Sequence, residues 1–275
     1  MTHDRPVVPF HRLQPDLRCL HVCYGGAVSI IRKELIGNQT LLLGDCLDAL
    51  DVMKAEPRVL MTDPPYSSGG FQEAGKGAGS IGDRQGSKIA NDNLSTRGYG
   101  RLMRRVMLAC PSLDEAYLFT DWRMWINTFD AIEDGGFRVR AMIVWDKGNA
   151  GMGAAWRSQH ELIGYGKKTS VAPGSPSAGT VLKFGRTGNP DHPTQKPVEL
   201  MEALLKVSAA GVVLDPFMGS GTTLVACERM GRSGVGIELS PEHFETACRR
   251  VDEETRQRDL FIAPTVKPTQ EAFGL

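Results

Sequence analysis

Seven short runs rich in β-forming residues recur along the chain, each closing on a polar or glycine-containing turn, and this rhythm limits the fold more than any other feature. The runs are Thr40–Leu43, Val59–Met61, Ala116–Phe119, Val139–Trp145, Glu161–Tyr165, Val212–Leu214 and Val235–Ile237. Amphipathic helical stretches lie between several of them. Such alternation predicts an α/β fold with a mainly parallel sheet, its crossover helices covering both faces. At 275 residues, 41% hydrophobic and 23% charged, the chain can bury one substantial core, so a single domain over residues 1–275 is expected.

One helix can be placed closely. Ser95 and Thr96 can cap a helix running to about Cys110. At about 100° per residue, Leu102, Met103, Val106, Met107 and Cys110 share one side, and Arg97, Arg101, Arg104 and Arg105 share the other. The basic stripe is either a solvated face or a surface for phosphates.

Two segments lack periodicity. Residues 67–92 carry Gly69, Gly70, Gly75, Gly77, Gly79, Gly82 and Gly86, with almost no large apolar residue beyond Phe71 and Ile81. A flexible loop is expected there, since so little surface can be buried, and loops of this length inside a domain are usually functional or disordered. Residues 167–191 hold Lys167, Lys168, Lys183 and Arg186 among Pro, Gly and Ser.

Thirty-two basic and thirty-two acidic residues cancel, so any polyanion must be held by a local basic surface rather than by a global field. The six cysteines are Cys19, Cys23, Cys46, Cys110, Cys227 and Cys248, a spacing that suggests reduced thiols. Cys19, His21 and Cys23 could start a metal site, but no second Cys or His cluster completes four ligands, and no metal is expected. The apolar stretch Leu20–Ile31 is broken by Gly25 and Gly26 and is shorter than the ~20 residues that span a bilayer. The N-terminus, with His3, Asp4 and Arg5 before the first proline, does not resemble a secretory signal. No membrane span and a cytoplasmic location are expected.

The strongest chemical signal is Thr62-Asp63-Pro64-Pro65-Tyr66, directly after a strand. Ligands of open α/β sheets bind beyond the carboxyl ends of strands. Two prolines fix φ, and the first biases Asp63 toward an extended backbone, so the turn is pre-set. An exocyclic amino group of adenine or cytosine is a poor nucleophile, because its lone pair is delocalised into the ring. The Asp63 carboxylate and the Pro64 carbonyl could both accept its N–H bonds and draw the nitrogen toward tetrahedral geometry. Tyr66 offers a flat face on which an extruded base can stack. Alone, the segment also reads as a Pro-Pro turn capped by Asp.

The second signal runs from Val212 to Thr223 as strand, glycine turn and helix start, and Glu238 ends the next strand, placed to take two ribose hydroxyls. A nicotinamide site fits poorly: the third glycine of G-x-G-x-x-G is replaced by Leu224, no P-loop Lys follows, and Asp215 would repel a pyrophosphate. A ligand with a cationic amino or sulfonium group fits better. Leu41 to Cys46 is a third strand that ends in a carboxylate, Asp45.

Together these motifs resemble the amino-methylating DNA methyltransferases, specifically the permuted β group, in which the catalytic tetrapeptide precedes the cofactor loop. Phe119 to Arg123, Val144 to Asn149, His160 to Ile163 and His192 to Pro197 are further similar segments, and the resemblance covers about Leu41 to Arg250. It implies a Rossmann-like seven-stranded sheet with one antiparallel strand, S-adenosyl-L-methionine as cofactor, and double-stranded DNA as partner. It makes Asp63, Pro64, Pro65 and Tyr66 the catalytic motif. For the cofactor it implies Asp45 and Cys46 at the adenine edge, Asp63, and Thr194 and Lys196 near the methionine end. It adds Asp215, Phe217, Gly219, Ser220, Gly221 and Thr222 in the loop, with Glu238 and Leu239 at the ribose.

In this family Asp at the first catalytic position more often accompanies N6-adenine than N4-cytosine methylation, so Asp63 favours adenine. An RNA or protein-amide acceptor, or a non-catalytic nucleic-acid-binding protein retaining the fold, are the other readings. Residues 167–191 are short for an independent target-reading module. The site read is then very short, or the glycine loop and basic helix take part, or a homodimer shares the work.

Overall fold

The computed structural model describes residues 30–65, 94–151, 155–171, 175–187 and 195–261, with side chains to residue 257. Nine strands form one sheet: β1 (Ile30–Ile36), β2 (Gln39–Gly44), β3 (Val59–Thr62), β4 (Glu115–Thr120), β5 (Arg138–Asp146), β6 (His160–Lys167), β7 (Val181–Lys183), β8 (Val213–Asp215) and β9 (Gly234–Glu238). Their order is β1-β2-β9-β8-β3-β4-β6-β5-β7. All seven strands expected from the sequence are present. β1 and β7 are additional, and two strands, β1 and β6, run antiparallel to their neighbours where one was expected.

Both additional strands lie at sheet edges, where backbone pairing to one neighbour is enough and one face stays wet. In β1 this gives IIRKELI, whose half-buried positions alternate with exposed ones. β7 has three residues, with only Leu182 half-buried. Neither carries the continuous apolar run that marks a central parallel strand, such as VLMT in β3, buried at every position.

The described residues form six helices: α1 (Cys46–Val52), α2 (Thr96–Ala109), α3 (Trp125–Asp134), α4 (Val198–Val207), α5 (Thr222–Arg229) and α6 (Pro241–Phe261). The sheet faces alternate as the pleat requires. Leu60, Leu118, Leu214 and Ile237 meet the layer of α1, α2 and α3. Val59, Met61, Phe119 and Val213 meet α4 and α5 on the other face, while Leu41 and Leu43 pack against α5 and α6.

Helix α2 matches its expectation. Ser95 Oγ accepts from Gly98 N at 3.1 Å as the N-cap, Met103, Val106 and Met107 are buried with Tyr99, and the four arginines are exposed. Each of these buried side chains contributes about 2 kcal/mol of apolar burial, well above the helix's own propensity terms. Among the described residues none of these arginines has an ion pair.

The topology fixes where a ligand can sit. From β3 the chain proceeds toward β4, and from β8 it proceeds the other way toward β9, although β3 and β8 are paired in parallel. Their carboxyl ends form the crevice of an open doubly wound sheet. At the opposite edge, Lys167 Nζ donates to Asp114 Oδ2 and Glu115 Oε1, both at 2.7 Å, in a buried network. The segment 167–191 thus begins far from the crevice, and among its described residues the end of β7 and Phe184 return to the carboxyl-end edge. No helix among the described residues is long and apolar enough to cross a membrane.

Candidate active site

Six of the seven parallel strands carry a carboxylate at, or one residue past, their carboxyl end: Asp45, Asp63, Asp121, Asp146, Asp215 and Glu238. Their environments differ, and so do their tasks. Asp45 Oδ1 caps α1, accepting from Leu47 N at 2.8 Å and Asp48 N at 3.3 Å. Asp121 Oδ1 accepts from Arg123 N and Met124 N ahead of α3.

Asp215 is turned inward. Its Oδ1 accepts from Thr62 Oγ1 at 2.7 Å and from Phe217 N at 3.2 Å, and its Oδ2 accepts from Thr223 Oγ1 at 2.6 Å. Burial pushes this carboxyl up to about 6, against the hydrogen bonds from Thr223, Thr62 and Phe217. The residue expected to attract a cation therefore ties three things together: the end of β3, the glycine turn and the first turn of α5. Through Thr62, one residue before Asp63, it brings the two sequence motifs side by side.

The glycine turn is held from three directions. Gly219 and Gly221 have φ of 51° and 78°, the left-handed region in which a side chain is strained. At Gly221 a Cβ would also lie 2.9 Å from the Ala247 Cβ of α6. Glu238 Oε2 accepts from Gly219 N at 3.0 Å, and its Oε1 accepts from Ser240 N at 2.7 Å. Arg250 Nη1 donates to Ser220 O at 2.6 Å, Ser220 Oγ at 2.8 Å and Thr222 Oγ1 at 3.1 Å.

At the other turn, Asp63 Oδ2 accepts from Lys196 Nζ at 2.6 Å. Oδ1 is buried without a hydrogen-bond partner among the described residues. Burial raises the Asp63 carboxyl above the usual carboxylate range, Lys196 opposes this and Glu161 reinforces it. Burial lowers the Lys196 ammonium, but the carboxylates of Asp63 and Glu161 more than reverse it, so Lys196 stays protonated. Pro197, with φ of −63°, precedes α4 and fixes the backbone next to Lys196. Beside this pair the Tyr99 hydroxyl meets Thr128 Oγ1, which bonds Thr120 Oγ1, each at 3.0 Å. An open cavity of about 290 Å³, lined by Val144, Asp146, Arg157, Gln159, His160 and Val181, extends the same edge.

The family profile described as DNA methylase, of the N6/N4 type, matches residues 177–249, which include the glycine turn and Glu238. The type II methyltransferase M2.DpnII of Streptococcus pneumoniae is 27% identical over 270 aligned positions, covering 84% of this chain and 96% of its own length. Among solved structures, the M1.HpyAVI complex with S-adenosylmethionine superposes with a TM-score of 0.57 at 23% identity, over 78% of this chain and 99% of that one. The cytosine-N4-specific PvuII DNA methyltransferase gives 0.57 at 16% identity, over 84% and 95%. In sequence and in fold the chain is similar to the amino-methylating DNA methyltransferases.

The carboxyl-end edge of the sheet fits S-adenosylmethionine, the ligand of the M1.HpyAVI complex. Carboxylates outnumber the ammonium groups there, which suits a sulfonium and an amino cation, and Glu238 presents two oxygens that each retain acceptor capacity for a ribose diol. The described cysteines suit direct transfer. Burial pushes the thiols of Cys46, Cys227 and Cys248 up to about 12 and that of Cys110 to about 11, so none is a ready nucleophile.

Of the residues expected from the sequence, the structure gathers Asp63, Pro64, Pro65, Lys196, Asp215, Phe217, Gly219, Ser220, Gly221, Thr222, Glu238 and Leu239 along the carboxyl ends of β3, β8 and β9, with Asp45 and Cys46 at the end of β2. Tyr66, Thr194, the glycine loop 67–92 and the Cys19, His21 and Cys23 group lie outside the described residues. Sequence reasoning missed Thr62, Thr223 and Arg250 as supports of the site. Thr62 stands next to Asp63, whereas Thr223 and Arg250 reach partners 8 and 30 positions away.

Arg250 offers a direct check. Arg250→Ala removes a cation from a turn whose carbonyl and hydroxyls it holds, and hydrogen bonds to charged groups contribute about 1.5–3 kcal/mol each. We expect calorimetric titration to show S-adenosylmethionine binding weakened roughly tenfold, one such bond's worth after relaxation. Unchanged affinity would mean that the turn holds its shape without the arginine.

Proposed function

We propose that this methyltransferase methylates the N6 amino group of adenine in double-stranded DNA, with the target base turned out of the helix into the crevice between β3 and β8. The observation that carries this reading is the buried Asp63 Oδ1, an acceptor with no partner among the described residues on a carboxylate whose second oxygen is pinned by Lys196. A buried acceptor of this kind costs about 1–3 kcal/mol unless something donates to it. A base amino N–H is the donor that the family chemistry brings.

In this reading Asp63 Oδ1 and the Pro64 carbonyl accept the two amino protons, and the nitrogen lone pair is drawn out of the ring. S-adenosylmethionine supplies an electrophilic methyl group on a cationic sulfur that departs as a neutral thioether. As the nitrogen gains its bond to carbon it becomes cationic, and the negative charge of Asp63 stabilises it. Asp63, its carboxyl raised by burial, then takes the surplus proton and restores the neutral amine. Tyr66 is proposed as the stacking face for the turned-out base.

Asp63 favours adenine over cytosine on the family pattern, and the two acceptors present the same amino chemistry. The exposed arginine stripe of α2 is proposed to meet backbone phosphates, with Lys183 at the end of β7 and Arg186 beyond it at the reactive edge. The pairing of two copies of the chain on one DNA would supply reading surface that residues 167–191 lack. Incubating the protein with methyl-labelled S-adenosylmethionine and unmethylated DNA, then resolving the nucleosides by mass, tests the assignment. N6-methyladenine is expected; N4-methylcytosine alone would move the acceptor to cytosine.

A further inference from the structure

The catalytic turn leans on a row of four alternating charges, of which the transfer itself uses only the first two. Lys196 Nζ lies 2.6 Å from Asp63 Oδ2 and 3.3 Å from Glu161 Oε2. Lys147 Nζ donates to Glu161 Oε1. The row is therefore Asp63, Lys196, Glu161, Lys147, and its net charge is zero.

Separate elements deliver these groups. Glu161 is the second residue of β6, Lys147 follows β5, and Lys196 comes from the approach to α4. Aromatic rings wall the row off from water: Lys147 Nζ lies 4.8 Å from the Trp145 ring centroid, and Lys196 Nζ lies 5.5 Å from that of Phe119 and 6.0 Å from that of Trp145. Lysine ammoniums held against apolar rings are poorly solvated, so each depends on its carboxylate neighbours for compensation.

Glu161 shares the Lys196 ammonium rather than capturing it. Its Oε2 is near enough for an ion pair but has no hydrogen bond among the described residues, whereas the Lys196 bond to Asp63 is short. Remove the Glu161 charge and the row carries a net positive charge. That charge would oppose the cation that develops on the target nitrogen and draw Asp63 more fully onto Lys196.

We propose that Glu161 and Lys147 are positioning residues for the methyl transfer, balancing the Lys196 ammonium so that Asp63 keeps one charged oxygen open to the base amino group. This inference rests on the transfer proposed above. Two other titratable groups face Asp63: Asp215 on β8, its carboxyl pushed up to about 6, and the buried hydroxyl of Tyr99 on α2. Both are retained in every variant below, so they cancel in the comparison.

The test uses the full chain as Glu161→Gln, Lys147→Met and the double variant. Glu161→Gln is expected to lower kcat about thirtyfold while the KM for S-adenosylmethionine stays within about threefold, since the lost charge acts on the reacting nitrogen. Because Glu161 raises the Asp63 carboxyl, its loss should move the acid limb of the rate profile to lower pH. The double variant restores a neutral pair of Asp63 and Lys196. Its kcat should recover to within about threefold of the parent, a non-additivity that packing damage would not produce.

A second readout needs no turnover. In protein labelled with 13C at aspartate carboxyls, the Asp63 resonance, assigned by its loss in Asp63→Asn, should titrate at lower pH in Glu161→Gln than in the parent. Parent-like kcat in Glu161→Gln, a double variant no better than the weaker single, or an unmoved Asp63 titration would each overturn the proposal. If the parent chain transfers no methyl to DNA, the transfer reading fails, and the carboxyl titration still decides whether Glu161 governs Asp63.

Discussion

Asp63→Ala should abolish methyl transfer, with kcat down by at least about 10³-fold, while S-adenosylmethionine still binds within about threefold of the parent. The asymmetry follows from the geometry. Asp63 contributes the buried Oδ1 acceptor and the charge facing the base, whereas the cofactor turn is held by Glu238, Arg250 and Asp215, none of which is bonded to Asp63. Single-turnover assays on DNA together with calorimetric titration of the cofactor read the two quantities separately. More than a tenth of parental activity would remove Asp63 from the chemistry. Equal loss of binding and rate would instead make it a structural support of the cofactor turn.

Lys196→Met carries the second large effect, and it falls on stability as well as rate. It leaves Asp63 and Glu161 partly buried with Lys147 as their only ammonium neighbour along the row. Breaking a buried pair from one side costs about 3–5 kcal/mol; with these carboxylates about a fifth exposed we take the low end, about 3 kcal/mol. For a domain of this size that lowers Tm by roughly 6–12 °C.

The loss should depend on pH. In the parent, Glu161 is held below its usual range because Lys196 and Lys147 outweigh its burial, so its contribution is present above the unfolded value and fades as the medium is acidified. In Lys196→Met the carboxyl of Asp63 rises further, and a raised carboxyl stabilises only at low pH, its contribution vanishing as the pH climbs through the folded value. The two effects add. The gap between parent and variant should therefore be smallest near pH 4–5 and widest above about pH 7, as urea denaturation at several pH values can read. A gap independent of pH would show that Lys196 acts by packing alone.

Much of the sheet could be read from the chain, because central parallel strands announce themselves as apolar runs and their turns carry Pro, Gly and Asp. VLMT before Asp63 and VVLD before the glycine turn are of this kind. Helix α2 was legible to its cap and both faces, since helical periodicity is local. β1 and β7 were not, because an edge strand needs neither a buried face nor length.

Within the site, the residues that touch a ligand in the family reading were legible and their supports were not. Arg250 and Ser220 are 30 positions apart, and Asp63 and Lys196 are 133 apart. No local pattern records such pairs. A charged residue in a buried network is also written with the same letter as one in water. Lys167 opens the irregular segment 167–191 beside Lys168, yet it is buried against Asp114 and Glu115.

The hydrogen bond from Thr62 to Asp215 spans 153 positions of chain. A nascent polypeptide leaving the ribosome can pair β1 with β2 and β3 with β4 early, but these two parts of the sheet stay unjoined until β8 and β9 have emerged and slipped in between them. Closing so distant a contact is an entropic toll on folding speed far more than on final stability. In the proposed reading, fragments that end before β8 lack Asp215, the glycine turn and Glu238, and so have no place to hold the methyl donor.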